Sequence, residues 1–120
     1  MEHHLDDINK GFMEPRPANH IPLTPLSFLP RIASIYPKRN AVVYGERKYN
    51  WSEVYERSVR LASAITNAGV KPGEVVTIMA PNIPEMFEAH FGVAMAGAVL
   101  NTLNTRLDTD TISYILDHAD

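Results

Sequence analysis

The sequence predicts an α/β fold, in which a parallel sheet with crossover helices is preceded by a small β-hairpin. The runs EVVTIMA (74–80) and AVLNT (98–102) are short, apolar and bounded by turn signals, and a helical pattern follows each of them. Strand, helix, strand, helix with short connections is typical of a right-handed crossover onto parallel strands. The hairpin is predicted by the glycine turn Gly45-Glu46 between AVVY and RKYNW.

The N-terminal residues 1–23 mix prolines with acidic side chains and show no apolar period, so we predict an extended or mobile arm. Thr24 and Pro25 then predict the start of a helix, with threonine at the N-cap and proline in the first turn. Pro30 lies inside this helix, where proline costs about 3 kcal/mol. We therefore expect the helix to kink or to start again near Ser27.

The second predicted helix covers residues 53–68, with Ser52 as its N-cap and Gly69 as its exit. On its solvent face, the spacing predicts i,i+4 ion pairs of Glu53 with Arg57 and of Glu56 with Arg60. The apolar positions recur at helical spacing and predict the apolar face of this helix: Val54, Leu61, Ala62, Ile65 and Ala68.

Two further helices follow the predicted strands. Asn82 and Glu85 have the spacing of a capping box for a helix over 83–96, which Gly97 ends. Asp108 is the predicted N-cap of the last helix, which extends from 109 to about 118.

The helix over 83–96 is apolar on nearly every side past its middle, with only Glu85, Glu88 and His90 as polar side chains after its cap. A helix of this kind is buried against neighbours on both sides. The four predicted helices and four strands are too few to supply both covers, so we expect the chain to be the first part of a larger domain.

Composition excludes several classes of function. The 11 basic and 14 acidic residues give a net charge of -3, which argues against a nucleic-acid partner. The absence of cysteine excludes disulfides and thiolate zinc sites. We predict no transmembrane segment, since the apolar run is about half of a membrane span, and no secretory signal or transit peptide at the N-terminus.

Three motifs suggest chemistry and are better explained by structure. Gly92 and Gly97 have phosphate-loop spacing, yet Ala98-Val99 follow where Lys and Ser/Thr are required. Glu85 and Glu88 lack the Glu-x-x-His spacing of a carboxylate metal site, and the helix dipole explains them. The five histidines show no ligand spacing outside His3-His4. No catalytic, cofactor-binding or metal-binding residue is therefore assigned.

The carboxyl ends of the predicted strands form a candidate binding site. Ligands of open α/β sheets collect beyond the carboxyl ends of the strands, and Arg106 could meet a phosphate there. Caps and turn hydrogen bonds are the alternative explanation of the same polar residues. The residues at these strand ends are Pro81, Asn82, Asn101, Thr102, Asn104, Thr105 and Arg106.

Three segments carry a resemblance to a known family: LTPLSFL, YGERKYNWSEVYERSVRLASAI and APNIPEMFEAHFGVAMAGAVLNTLNTRL. In this order they resemble the opening of the large N-terminal domain of adenylate-forming enzymes, and they are most similar to plant acyl-activating enzymes, a type of acyl-CoA synthetase. The resemblance covers about 18–120 and makes residues 24–120 the N-terminal part of an incomplete AMP-dependent synthetase domain. Pro30 departs from the family, where a polar residue is usual.

The resemblance implies an ATP-dependent ligase that joins a carboxylic or fatty acid to coenzyme A through an acyl-adenylate, with Mg²⁺ accompanying the ATP. The family's phosphate loop, ribose-binding aspartate, hinge and adenylation lysine would all lie beyond Asp120, so the chain alone is expected to be inactive. The implied localisation is cytoplasmic or peroxisomal. Alternatives are another adenylate-forming enzyme, such as a luciferase or a peptide-synthetase adenylation domain, or an inert truncated product that acts by binding.

Overall fold

The predicted order of elements is present in the computed structural model, which describes residues 20–119. The helices are α1 (Pro25–Ile35), α2 (Trp51–Asn67), α3 (Pro84–Met95) and α4 (Thr109–Ala119). The strands are β1 (Asn40–Tyr44), β2 (Arg47–Asn50), β3 (Val75–Met79) and β4 (Val99–Leu103). β1 pairs antiparallel with β2, and β3 pairs parallel with β4, which confirms the α/β prediction.

The predicted N-terminal arm falls mostly outside the described residues, which begin at residue 20. Residues 20–23 are exposed and have no regular secondary structure. Between residues 20 and 119, no helix combines the length and the apolar character that a bilayer crossing requires.

The hairpin turns at Gly45-Glu46, as predicted. Gly45 has a φ of +57°, a left-handed conformation that side chains disfavour, and the register joins Tyr44 to Arg47 and Val43 to Lys48. Trp51, predicted to end the second strand, instead begins α2.

The first helix starts at Pro25 and continues through Pro30 to Ile35, so the expected restart near Ser27 is wrong. Leu29 and Ala33, on either side of the proline, are buried. Their packing offsets the single backbone hydrogen bond that a proline removes. Ser27 instead belongs to the first turn, where its backbone N–H and hydroxyl both donate to the carbonyl of Thr24, at 3.0 and 2.8 Å.

The N-cap of α2 is Asn50, and the prediction of Ser52 is wrong. Asn50 Oδ1 accepts from the backbone N–H of Glu53 at 2.9 Å, and the Glu53 carboxylate accepts from the backbone N–H of Asn50 at 2.8 Å. This reciprocal capping box satisfies two amide donors at the helix start. Because Glu53 is used in the box, its predicted pair with Arg57 does not form, whereas Glu56 and Arg60 do pair, at 3.6 Å.

The predicted capping box at the start of α3 is also wrong. Ile83 occupies the N-cap position with extended φ and ψ, and no side chain caps the helix. The cause is Pro84, which disfavours helical angles in the residue before it. Ile83, rather than Asn82, is therefore the N-cap. Glu85 binds Arg47 of the hairpin instead, at 2.8 Å.

The core lies between α2, α3 and the parallel strands. Ile65, Ala89, Val93 and Ala98 form its buried centre, and side chains of β3 and β4 pack against them. Gly92 permits close contact between the two helices, since a Cβ there would lie 2.7 Å from Leu61 Cδ2. The expectation that the apolar helix lacks a second cover is therefore wrong for its middle, where Val93 is fully buried, while Phe87 near its start remains 36% exposed.

The sheet edges and the last helix are much less covered. Within residues 20–119, β3 pairs only with β4, and Met79 is 53% exposed, so the expected buried strand is half-exposed here. Asp108 caps α4 as predicted, accepting from the backbone N–H and the hydroxyl of Thr111 at 2.9 and 2.7 Å. None of the residues of α4 is buried.

Candidate functional site

The carboxyl ends of β3 and β4 meet at one edge of the sheet and border a polar cavity of about 570 Å³, which we call the polar groove. The parallel register aligns Met79 with Leu103, so the segments that follow each strand leave the sheet side by side. Ten residues line the groove: Ala80, Pro81, Asn82, Met86, His90, Thr102, Leu103, Asn104, Thr105 and Arg106. The structure thus brings together all the residues predicted at this edge except Asn101.

Asn101 does not line the polar groove. Its side-chain amide donates to Thr77 Oγ1 at 3.2 Å, across the β3–β4 pair. This bond satisfies Asn101 within the sheet, whereas Thr102 and Leu103 lie nearer the carboxyl end of β4, which borders the groove.

Asn104 and Arg106, two of the predicted groove residues, differ in whether their side chains have hydrogen-bond partners. Asn104 Oδ1 accepts from the backbone N–H of Arg106 at 3.0 Å, which is the turn role given above as the alternative to ligand binding. The Arg106 guanidinium, which is exposed, has no hydrogen-bond or ion-pair partner within residues 20–119. A cation beside amide and hydroxyl groups has the chemistry to contact an anionic group of a ligand.

Sequence reasoning missed Met86 and His90 as groove residues. They are four residues apart on α3, and the imidazole Nδ1–H donates to the Met86 carbonyl at 2.8 Å, since a carbonyl can only accept. This bond leaves Nε2 for another partner. The signal was available, because a helix that follows a strand begins at the carboxyl edge and residues i and i+4 of its first turns share one face.

A second, apolar cavity of about 660 Å³ adjoins the polar groove, and we call it the apolar groove. The two cavities share Asn82, Met86 and His90. The apolar groove lies between the hairpin and the outer side of α3, where the rings of Phe87 and Phe91 meet edge to face with centroids 5.4 Å apart. Its lining residues are Ala41, Val42, Val43, Tyr44, Asn82, Ile83, Pro84, Met86, Phe87, His90 and Phe91.

An ion network behind these grooves ties three elements together. Glu88 of α3 is almost fully buried and accepts from Arg57 Nε of α2 at 2.5 Å. Glu85 pairs with Arg47 of β2 at 2.8 Å and lies 3.8 Å from Arg57. The Arg57 guanidinium also lies over the ring of Tyr49, 4.6 Å from its centroid. The interpretation from sequence explained both glutamates by the helix dipole and did not predict these arginine partners.

The hydrogen bonds of the network shift the affected pKa values in the expected directions. A hydrogen bond from its own backbone N–H, and then that from Arg47, lower the pKa of Glu85. The Glu88 carboxylate raises the pKa of Arg57, and the Glu85 carboxylate raises that of Arg47. Both directions favour the charged forms of Glu85, Arg47 and Arg57.

The two glycines with phosphate-loop spacing have structural roles, although Gly92, expected from the sequence to allow close packing of its helix on the sheet, packs against a neighbouring helix instead. Gly92 is buried where α2 and α3 touch, and Gly97, with a φ of +77°, terminates α3. No group of three or more His, Asp or Glu side chains in the part of the chain that the structure describes could hold a metal ion. No described residue is assigned to hold Mg²⁺, and no step is assigned to a metal here.

Comparison with protein families finds a match to the AMP-binding enzyme family over residues 29–120. Peroxisomal acetate/butyrate–CoA ligase of Arabidopsis thaliana is 52% identical over 115 residues, which cover 96% of this chain and 19% of that protein. Peroxisomal benzoate–CoA ligase of the same plant is 47% identical over 102 residues, which cover 85% of this chain and 18% of that protein.

The fold has a counterpart among solved structures. The N-terminal subdomain of NpsA from Klebsiella oxytoca superposes with a TM-score of 0.75 and 24% identity, over 79% of this chain and 25% of that one. This likeness supports the architecture alone. The chain spans about a fifth of the length of the curated relatives it matches.

Proposed function

The chain belongs to the AMP-binding enzyme family, and on this premise we propose that it is the N-terminal portion of an ATP-dependent carboxylic acid–CoA ligase. The observation that carries the proposal is the 52% identity to an acetate/butyrate–CoA ligase over 96% of the chain. The proposed reaction has two steps. The carboxylate attacks the α-phosphorus of ATP and expels pyrophosphate, and the CoA thiolate then attacks the acyl carbonyl of the adenylate and expels AMP.

In this proposal the described residues build one side of the large domain, and the groups that perform adenylation lie in the remainder of the longer protein. Acid, ATP, Mg²⁺ and coenzyme A are accordingly cofactors and substrates of the longer enzyme. Among the described residues, the polar groove has chemistry that suits one of them: Arg106, with Thr105 and Asn82 beside it, could contact an anionic group of ATP or coenzyme A.

The choice of coenzyme A as acceptor is supported by relatives at 52% and 47% identity that are both named as CoA ligases. One acts on acetate or butyrate and the other on benzoate, so we leave the acid of this protein unspecified. Both are named as peroxisomal, which supports a peroxisomal location for this protein, with the cytoplasm as the alternative.

A chimera tests the proposal. Residues 1–120 of this chain replace the matched 115 residues of the Arabidopsis acetate/butyrate–CoA ligase. We expect acid-dependent exchange of labelled pyrophosphate into ATP within about tenfold of the parent enzyme, a change of about 1.4 kcal/mol in the barrier. The parent with the same segment deleted is the control and should be inactive. A soluble, folded chimera without acid-dependent exchange would contradict the proposal.

The isolated chain makes a second, opposite test. With ATP, labelled pyrophosphate and short, long or aromatic acids, the 120-residue chain should show no exchange above background. Exchange by the isolated chain would mean that the adenylation groups are present within it.

A further inference from the structure

The outer side of α1 exposes large apolar side chains. Phe28, Arg31 and Ile35 are spaced by three and four residues, so they share one face of the helix. Phe28 is 57% exposed and Ile35 is 55% exposed, whereas Leu29 and Ala33, on the inner side, are buried. The helix packs against α2 and α3, and the outer side takes no part in burying this inner side.

Further apolar side chains flank the helix at both ends. Ile21 and Leu23, just before α1, are 77% and 86% exposed, and Tyr36, just after it, is 48% exposed. None of these side chains lines the polar groove or the apolar groove. They form an open surface rather than a pocket. We call this surface the outer patch, and its members are Ile21, Leu23, Phe28, Ile35 and Tyr36.

The segment that carries the outer patch has a charge opposite to that of the chain after it. Residues 20–45 contain three basic side chains and no acidic one, whereas residues 46–120 contain six basic and ten acidic side chains. The Arg39 guanidinium lies over the ring of Tyr36, 5.2 Å from its centroid, which places a cation at the patch. All three cations are exposed and form no ion pair in the part of the chain that the structure describes: Arg31, Lys38 and Arg39.

We propose that the outer patch binds the surface of an anionic lipid bilayer. Apolar side chains beside cations are typical of segments that lie in the headgroup region, where the apolar groups reach the acyl chains and Lys and Arg contact anionic headgroups. A nucleic acid would use the three cations and leave Ile21, Leu23 and Ile35 in water. The proposal concerns attachment of the enzyme to a membrane, so it goes beyond the proposed reaction and does not depend on it.

Sedimentation with vesicles tests the proposal on the chimera. One set of vesicles is phosphatidylcholine alone, and the other contains roughly one-third phosphatidylserine. We expect binding to the anionic vesicles to be at least about tenfold tighter, and to weaken as salt is added, because salt screens exposed charges. The measurement requires a folded, soluble chimera but not an active one, so its result is independent of the proposed function.

Two outcomes of the sedimentation would overturn the proposal. If the remainder of the ligase or a second copy of the chain covers the outer patch, the chimera will bind neither kind of vesicle. Equal binding to both kinds would show that the three cations take no part.

Two matched pairs of variants locate the binding at the outer patch. Ile35→Gln removes an apolar side chain of the patch, and Val59→Gln makes a similar change at a 42%-exposed valine of α2. Lys38→Glu reverses a charge beside the patch, and Lys71→Glu reverses one at an exposed position outside it. Ile35→Gln and Lys38→Glu should each weaken binding to the anionic vesicles about tenfold, and the two controls should leave it unchanged. Circular dichroism without vesicles should be the same for all four variants, and equal effects within either pair would contradict the proposal.

Discussion

Among single side chains, the Arg57–Glu88 contact has the largest energetic consequence, because Glu88 is a nearly buried carboxylate that depends on one cation. Removing a partner from such a pair leaves a charge without compensation. We predict that Arg57→Met destabilises the chain by about 3 kcal/mol, a fall of about 1–2 M in its urea midpoint. Urea titration followed by circular dichroism measures this.

Arg60→Met is the control for that substitution, since the polar contacts of Arg60 in the described residues are both exposed and both with Glu56: the i,i+4 ion pair and a 3.4 Å hydrogen bond from Nε to the Glu56 carbonyl. Exposed pairs contribute about 0.5 kcal/mol. Equal midpoint shifts for the Arg57 and Arg60 variants would show that Glu88 does not need its guanidinium partner.

The carboxylate of Asp108 predicts a pH dependence. The backbone N–H and then the hydroxyl of Thr111 lower its pKa in the folded chain. A carboxyl whose folded pKa is lowered contributes stability above its unfolded pKa and loses it as the pH falls through the folded value. Asp108→Asn keeps a capping oxygen that does not titrate, so wild type should be the more stable at pH 7.

The difference between these two proteins should shrink as the pH falls below the ordinary pKa of aspartate. Urea midpoints measured for both proteins between pH 7 and pH 2.5 test it. If the difference in urea midpoint stays constant over this range, the Asp108 cap stabilises the chain through its hydrogen-bond geometry and not through the charge of the carboxylate.

Arg106 is the residue for a kinetic prediction. If its guanidinium meets a phosphate of ATP or coenzyme A, Arg106→Ala in the chimera loses a charge-assisted hydrogen bond of about 1.5–3 kcal/mol, and the KM of that one substrate rises roughly tenfold to hundredfold. Arg31→Ala, at an exposed position outside both grooves, is the control. Unchanged KM values for both nucleotides would exclude this role.

Sequence reasoning at this scale found some local partners, such as Glu56 with Arg60, and missed the distant ones. The Asp108 cap was predictable, because a helix start and its acceptor lie within four residues. Glu85 and Glu88 were not assigned to Arg47 and Arg57, because those pairs join residues 38 and 31 positions apart. No periodicity within one element specifies such pairs, which depend on how the hairpin and α2 are oriented against α3.

At the scale of elements, the α2–α3 contact depends on Gly92. A Cβ there would lie 2.7 Å from Leu61 Cδ2 and 2.9 Å from Leu61 Cβ, so the helices would have to move apart. Overpacking costs about 1–3 kcal/mol, whereas replacing glycine within a helix returns about 1 kcal/mol. We predict that Gly92→Ala is net destabilising, by up to about 2 kcal/mol in urea titration.

A compensating substitution makes this prediction specific. Gly92→Ala combined with Leu61→Ala removes the clashing branch, so the double variant should be more stable than the sum of the two single changes predicts. Strict additivity of the single and double variants would mean that the two residues do not contact each other.

Helix ends were predicted less accurately than helices. At α2, both Asn50 and Ser52 are capping residues, and the choice between them depends on the glutamate three residues after Asn50. At α3, the order Asn82, Ile83, Pro84 gives a polar candidate, but proline restricts its predecessor and makes Ile83 the boundary. Apolar periodicity located both helices, whereas the ends were decided by competition among neighbouring residues.

At the scale of the whole molecule, the fold class was predictable because the order of strands and helices leaves few topologies. The order did not specify how much of each helix and strand the neighbouring elements bury. The middle of α3 is buried by α2 and by the parallel strands, although composition alone suggested that one side would be bare. The uncovered surface lies along β1 at Val43 and around Phe87, at the sheet edges, and along α4.

This uncovered surface leads to the last prediction, on the behaviour of the isolated chain. Large apolar side chains that are about half exposed include Val43, Met79 and Val99. Large exposed apolar side chains bind hydrophobic dyes and promote association. The isolated 120-residue chain should therefore enhance the fluorescence of such a dye several-fold over the chimera at equal molarity, because the remainder of the ligase covers this surface in the chimera. Its thermal transition should be broad, and light scattering should rise with concentration.

A monodisperse chain with a sharp melt and no dye binding would instead favour a free-standing product that works by binding. It would also remove the physical argument that the exposed apolar side chains of these helices and strands are buried by the rest of a larger domain.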